Sequence, residues 1–503
     1  MNFKTMLAAG LLLTFTACEK NEKDDFFVNE DAANFNLIST TNIAGTGAAE
    51  ISTYDAITKR LFVVNNSSSV NQIDVLDLQN PAAPVRIHSI NIASYGGFVN
   101  SLDVYNGKLA AAIEGTVKTD NGKVVVFNTA DYTEVKVVTV GALPDMVTYS
   151  KDGKFILSAN EGEPNDSYAV DPAGSVSIIE VNNNYTVTTL DFSAFASQAT
   201  ALKAQGLRVF GVGNDFTKDM EPEYITISED SKTAWVTLQE NNAIAKINLS
   251  TKTVTNIFPL GFKDYSLAAN AIDVSDSDGS VANPNTWPVK GIYMPDAIAL
   301  LEKGGIPYLF TANEGDAREY SALTEAKRVK SLTLDPTAFP NAATLKQDAQ
   351  MGRLNVTNTL GDTDGDGDFD LLYSFGARSF SVWNGNTGAQ VFDSKNELDI
   401  KTKAAGYYDD GRSDDKSVEP EGITIGKVGH RTVAFVGMER ADALAIYDVT
   451  DPTAPVFLQL LATGDAPEGV LFVPADKSPI KRSLLIISSE NDGNVKIYQP
   501  NLL

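Results

Sequence analysis

The sequence predicts an all-β protein, a single seven-bladed β-propeller with long insertions between strands and a ring closed by N- and C-terminal strands. Three observations lead there. A hairpin-sized unit recurs along the chain, strand-sized segments follow most copies, and the last copy is one strand short while an unassigned strand precedes the first.

The best-formed copy runs from Met294 to Asp316. It opens with Pro295-Asp296, crosses an apolar stretch, turns at Gly304-Gly305 and closes a second apolar stretch at Asn313-Glu314. The frame recurs from Leu143 to Glu163, Glu221 to Asn242, Glu419 to Arg440 and Ala466 to Asp492, with degenerate copies at Asn100 to Glu114 and Glu50 to Asn65. A unit of this size cannot bury its own apolar face, so the copies must pack on one another. In the third unit Met146 to Ser150, Phe155 to Asn160, Ser175 to Glu180 and Tyr185 to Asp191 are rich in Val, Ile, Phe and Tyr and divided by turn residues. Those are short strands, and four to a unit is a propeller blade. The strings DLQNPAAPV (Asp77 to Val85) and DVTDPTAPV (Asp448 to Val456) occupy the same place, between third and fourth strands. The last unit stops after its third strand, Asn494 to Tyr498, and the run Phe35 to Thr40 is expected to supply the fourth, which removes open edges.

Residues 1–17 carry Lys4, an apolar run through Leu13 and small residues before Cys18, the pattern of a secretory signal peptide. Cys18 is the one cysteine, so no intrachain disulfide forms. It follows Phe15-Thr16-Ala17, which resembles a bacterial lipobox with Phe at its first position; the alternative is a secreted protein whose Cys18 leaves with the signal. Lipidation at Cys18 implies membrane contact through the anchor alone, at the outer membrane or cell surface. Residues 18–34 are polar and read as a flexible tether, in which Lys23-Asp24-Asp25 resembles the export signal of surface-displayed lipoproteins. Residues 35–503 form the propeller. No later segment is apolar for long enough to span a bilayer. A net charge of −25, from 40 Lys and Arg against 65 Asp and Glu, sets aside nucleic acid and anionic membrane surfaces as partners, and a monomer is expected.

Blades of about 40 to 45 residues leave four insertions: Phe192 to Met220, with a helical run near Phe195 to Gln205; Pro259 to Tyr293; Asp316 to Leu371; and Lys401 to Val418. Such insertions tend to carry function. SKDGKFILSAN in the third unit resembles the YVTN class of bacterial propeller repeats. EPEYITIS (Glu221 to Ser228), WPVKGIYMPDAIA (Trp287 to Ala299), GDTDGDGDFDLLYSFGARSFSVW (Gly361 to Trp383) and RSDDKSVEPEGIT (Arg412 to Thr424), in this order, resemble the choice-of-anchor I family. The resemblance implies a secreted, propeller-like protein held at a cell surface; some members carry alkaline phosphatase or phytase-like labels by similarity.

GDTDGDGDFD sets Asp362, Asp364, Asp366 and Asp370 at positions 1, 3, 5 and 9, with Gly367 at position 6. That is calcium-loop spacing, since a hard cation takes several oxygens and the glycine permits the turn that points them inward. Tyr373 stands at position 12, where an EF-hand has Glu. The loop instead resembles those of integrin-type propellers, which implies side-chain ligands from these four aspartates and the carbonyl of Asp368. The alternative is a flexible acidic turn.

In the stronger units an acid opens the first strand and a Glu closes the second: Asp145 with Glu161, Glu223 with Glu240, Asp296 with Glu314, Glu421 with Glu439, and Glu468 with Glu490. Antiparallel neighbours bring both to one end. With the first strand innermost, the pairs crowd the mouth of a central channel. Singly, Pro-Asp, Pro-Glu and Asn-Glu are ordinary turn residues; five pairs together argue for a site. So many carboxylates require cations or raised pKa values. Calcium, with a second divalent metal at the channel mouth, is the expected answer, with Glu314 and Glu439 as preferred ligands. Arg318, Arg412 and Arg440 are candidates for anion binding, with Arg378 and Lys416 nearby.

Two functions are compatible with this pattern. One is a calcium-binding propeller that takes an extracellular ligand or partner. The other is a metal-dependent phosphoester hydrolase acting on a phosphorylated small molecule at the channel mouth. The two histidines, His88 and His430, read as surface residues, and neither a phosphate loop nor a nucleophile elbow occurs, so no catalytic residue is assigned.

Overall fold

A computed structural model describes residues 26–503 apart from 68 and 69. The expected signal peptide, Cys18 and residues 18–25 of the tether lie outside the described residues. The fold is all-β. Segments rich in Val, Ile and aromatic residues become strands, and the Gly, Asn and Asp clusters between them become turns.

Six consecutive four-stranded antiparallel meanders begin with Ala48–Asp55, Val99–Tyr105, Pro144–Tyr149, Pro222–Ile227, Ile298–Lys303 and Pro420–Val428. A seventh sheet is built from Pro467–Val473, Leu484–Ser489 and Asn494–Leu502, and its outer strand is Glu30–Asn42 from the start of the described chain. There Leu37 lies opposite Tyr498 and Thr40 opposite Lys496. The duplicated Pro-containing strings fall where the sequence put them, since third strands end at Asp77 and Asp448 and fourth strands start at Val85 and Val456. Two insertions contribute to a five-stranded sheet that pairs Phe262–Asp264 and Lys290–Ile292 with strands of the 316–374 region. Among the described residues no helix is long and apolar enough to cross a membrane.

Apolar clusters lie between sheets, as expected of units that cannot bury their own faces. Leu61, Val63 and Leu76 of the first sheet pack with Leu484, Ile486 and Ile497 of the seventh, and Phe62 and Val75 pack with Leu109 and Val125 of the second. The first strand of each sheet touches the first strand of the next, and that of the seventh touches that of the first.

The tether ends earlier than expected. Residues 30–34 belong to the outer strand of the seventh sheet, because Glu30 is buried and its carboxylate accepts from Arg482 Nε at 2.8 Å and from the Ser483 N–H at 2.9 Å. Phe35 packs edge-on against Phe435, 5.5 Å between centroids, which holds the strand against the sixth sheet. Arg482→Ala strands this buried carboxylate and is expected to cost about 3 kcal/mol, read as a lower urea midpoint at unchanged m-value, with Arg482→Lys losing less.

The two faces differ. First strands begin, second strands end, third strands begin and fourth strands end on one face: Pro144 pairs with Asn160, Asn160 with Ser175, and Val176 with Leu190. All four insertions leave from that face. The opposite face carries the short hairpin turns and both ends of the described chain, since Glu30 pairs with Leu502 there.

Candidate functional site

Five of the seven inner strands start with a left-handed residue; those at Val99 and Pro222 do not. The residue that precedes the Pro-acid pair is left-handed without being glycine: φ is +47° at Leu143, +43° at Met294, +48° at Glu419 and +55° at Ala466, and Ala49 before Glu50 has +59°. Each such residue costs roughly 1–2 kcal/mol. What compensates is visible in the hydrogen bonds. The carbonyls of Leu143, Glu419 and Ala466 accept the N–H groups of Glu161, Glu439 and Glu490, and that of Met294 accepts from Gly315, so the bend ties the two acid-bearing strand ends together. A bulge then interrupts the ladder at the acid, between Pro144 and Met146, Pro222 and Ile225, Pro420 and Ile423, and Pro467 and Gly469. An unpaired bulge residue can be turned out of the sheet. Here that turns Asp145, Glu223, Glu421 and Glu468 toward the centre.

The result is a cavity of about 350 Å³ on the insertion-bearing face. Twelve carboxylates line it: Glu50, Asp145, Glu161, Glu163, Glu223, Glu240, Asp296, Glu314, Asp316, Glu421, Glu439 and Glu468. Two cations, Lys416 and Arg440, share the lining. Deeper along the inner strands Ile51, Met146, Tyr224, Ala297, Ile423 and Val470 form an apolar floor. Nine of the ten carboxylates expected at the channel mouth therefore meet, and Glu490 sits behind them, close enough to hydrogen-bond Glu468. Oxygens of Asp145, Glu161 and Glu223 come within 4.8 Å of one another, as do those of Asp296, Glu314 and Glu421, and those of Glu314, Glu419 and Glu439. Such groups have the donor type and spacing that hard cations require.

Burial, with repulsion from neighbouring carboxylates, pushes these acids up. Asp145 rises to about 6, Glu439 to about 7, Glu50 to about 8 and Glu468 to about 10, while Glu161, Glu223, Glu240, Asp296 and Glu421 lie well above the usual range. Glu314 is the exception. Burial alone would raise it, but the Lys416 ammonium at 2.8 Å and a hydrogen bond from Gln239 Nε2 at 2.8 Å outweigh that and hold it low.

The cations are unevenly placed. Buried Glu419 takes Arg412 at 2.5 Å and Lys416 at 3.1 Å, with Arg440 at 3.7 Å, and Arg440 also meets Glu439 at 2.8 Å. Across the cavity Lys118 pairs with Glu163, while Oε2 of Glu240, a residue only 8 % exposed, has no hydrogen-bond partner.

Three expected anion-binding or nearby arginines are committed elsewhere. Arg318 is buried between Asp219 at 2.5 Å and Glu221 at 2.8 Å, with Phe210 stacked on its guanidinium, so it is not open to an anion. Arg412 is spent on Glu419 and Asp415. Arg378 is buried and donates to the carbonyls of Asp273, Ser413 and Asp415. Arg440 alone of the candidates lines the cavity. Glu50 joins the cavity without the Pro-acid signal, since its copy of the repeat has Ala49 where the stronger copies have Pro, although its place in the frame is that of Asp145.

The acidic loop lies apart, on the surface. Oxygens of Asp362, Asp364 and Asp370 come within 4.8 Å, and so do those of Asp335, Asp368 and Asp370. Asp362 accepts the N–H groups of Gly365 and Gly367 at 2.7 and 3.1 Å, and Asp366 accepts that of Asp368 at 3.1 Å. Asp335 has no local motif that links it to the loop; it is brought in by the pairing of Leu334 with Phe369. His88 stacks on Tyr132 and His430 on Phe27, and neither lines the cavity.

The family model of the choice-of-anchor I domain matches residues 50–452. Among curated proteins the chain is similar to Gigasin-3a of Magallana gigas, 26% identical over 189 residues that make up 31% of this chain and 66% of that one. It is also similar to the mesenchyme-specific cell surface glycoprotein of Strongylocentrotus purpuratus, 25% identical over 336 residues, 56% of this chain and 43% of that one. The matches thus span less than two thirds of either relative. Among solved structures it is similar to Kuenenia stuttgartiensis hydrazine synthase, with a TM-score of 0.48 and 12% identity over 92% of this chain and 98% of the other. The RRP9 WD40 repeats give 0.48 and 8% over 94% and 100%.

Proposed function

The chain belongs to the choice-of-anchor I domain family, and from that premise we propose that it is a surface-associated β-propeller whose central cavity binds divalent cations of the calcium class and, with them, an extracellular ligand or partner. The seven sheets are its blades, and the pairing of Glu30–Asn42 with Asn494–Leu502 closes the ring. The convergence of twelve carboxylates with two cations on one cavity carries this reading. Carboxylates in that number, all but Asp316 buried or half-buried, call for compensation, and a hard divalent ion supplies it where single surface lysines cannot reach. A surface location is supported by the family and by the name of the sea-urchin relative. The described chain begins on the face opposite the cavity. Lipidation of Cys18 is the anchor this reading proposes.

The loop from Asp362 to Asp370 is a second, exposed calcium site, to which Asp335 adds an oxygen. The two sites separate by mutation. In the Asp362→Ala/Asp364→Ala variant, calorimetric titration with calcium is expected to lose the loop class of sites and keep the cavity class. A variant that no longer binds calcium at all contradicts cavity binding.

A metal-dependent phosphoester hydrolase is the second reading, favoured by one observation. Arg440 is 38 % exposed on the cavity wall beside Glu439, where it can receive the charge of a phosphate. A bound divalent ion supplies Lewis-acid polarisation and a water of lowered pKa. Turnover of phosphomonoesters that requires calcium and is lost in Arg440→Ala supports this reading; absence of turnover in calcium-saturated protein leaves the binding propeller.

A further inference from the structure

We infer that the cavity contains two cation seats and that Lys416 is a tethered counter-ion holding one of them, so that the natural protein takes a divalent ion only in the opposite seat, formed by Asp145, Glu161 and Glu223. This rests on the reading of the cavity as a divalent-cation site. The occupied seat centres on Glu314, which belongs to both three-carboxylate groups on its side of the cavity. Lys416 arrives from the insertion before the sixth sheet and puts Nζ 2.8 Å from Glu314, 3.1 Å from Glu419 and 3.4 Å from Asp316. Three acidic partners around one buried ammonium is the arrangement of a bound cation. Being part of the chain, that ammonium competes with free ions at an effective concentration on the order of millimolar or above.

Among the described residues the opposite seat has no such occupant. The nearest basic groups are engaged elsewhere, Lys118 with Glu163 and Arg318 with Asp219 and Glu221. The buried, unpartnered Oε2 of Glu240 lies on the same side and is a fourth oxygen available to an ion. Two half-sites of similar carboxylate content thus differ in compensation: on one side Lys416 sits on Glu314 and Glu419 with Arg412 and Arg440 beside it, and on the other the basic groups pair with carboxylates outside the seat.

The test is the number of calcium ions bound per protein by equilibrium dialysis, in full-length protein carrying Asp364→Ala/Asp370→Ala, since Asp370 belongs to both carboxylate groups of the surface loop, so that the loop does not contribute. The parent is expected to hold one cavity ion, Lys416→Met two, and Lys416→Arg one. Adding Glu314→Gln to Lys416→Met should return the count to one. A folded Lys416→Met protein that still holds one ion overturns the inference while leaving the cavity reading intact; a parent that holds none removes both. If Lys416→Met folds only with calcium present, the ion has replaced the ammonium as expected. Failure to fold even in saturating calcium contradicts the exchange.

Discussion

Freed of divalent cations, the protein should lose stability as the pH rises from about 5 to about 8, the reverse of the usual behaviour of a carboxylate-rich domain. The sign follows from the direction of the shifts. A carboxyl whose pKa is higher folded than unfolded binds its proton more tightly in the folded state, so its stabilising contribution is complete below the unfolded value and disappears as the pH passes through the folded value. Asp145 at about 6, Glu439 at about 7 and Glu50 at about 8 define the window, and Glu468 at about 10 extends it upward. Ionising Glu50 alone, raised from 4.5 to about 8, corresponds to roughly 5 kcal/mol. Thermal melts in chelator should therefore show Tm falling steadily across this range. Calcium should flatten the curve, because an ion that binds only the folded state adds about 2.7 kcal/mol at a hundred times its Kd and is favoured by the same deprotonation. A chelated protein whose Tm rises or holds constant between pH 5 and 8 would show that the carboxylates are compensated within the fold.

Neutralising the cavity should stabilise the chelated protein and abolish its response to calcium. Glu161→Gln and Glu223→Gln keep side-chain volume and remove a buried charge that neighbouring acids repel. At pH 8 in chelator each is expected to raise stability by about 1–3 kcal/mol, while calcium affinity at the cavity falls by on the order of a hundredfold or more. Opposite signs for stability and binding are what a functional site assembled at the expense of stability predicts. If these carboxylates were only structural, with hydrogen bonds that hold the inner strands, the same variants would lower the chelated Tm.

Much of this was legible because the repeat acts locally. Pro-Asp and Pro-Glu mark where five of the seven inner strands begin, hairpin length brings Glu161, Glu240, Glu314 and Glu439 back to the same end, and the missing strand of the last unit matches a run near the start of the chain. Long-range pairing was not legible. Arg318 follows Glu314 closely in sequence and reads as free for a ligand, yet its partners, Asp219 at the end of an insertion and Glu221 at the start of the next unit, lie almost a hundred residues earlier. Lys416 was visible as a basic residue near the acids, but nothing local says that its loop folds inward onto Glu314 rather than outward. The polar stretch around Glu30 lacks apolar residues and reads as tether; Arg482, 452 residues away, supplies the partner that orders it. Asp335 reaches the acidic loop for the same kind of reason, through a bridge between distant segments.

Anomalous scattering from crystals of the full-length protein soaked in terbium, a calcium surrogate with a strong signal, tests cation binding in the cavity most directly. A peak is expected among Asp145, Glu161 and Glu223, with Lys416 still on Glu314 and a separate peak at the loop from Asp362 to Asp370. Density at the loop alone, with the cavity carboxylates unmoved and no peak among them, would contradict it.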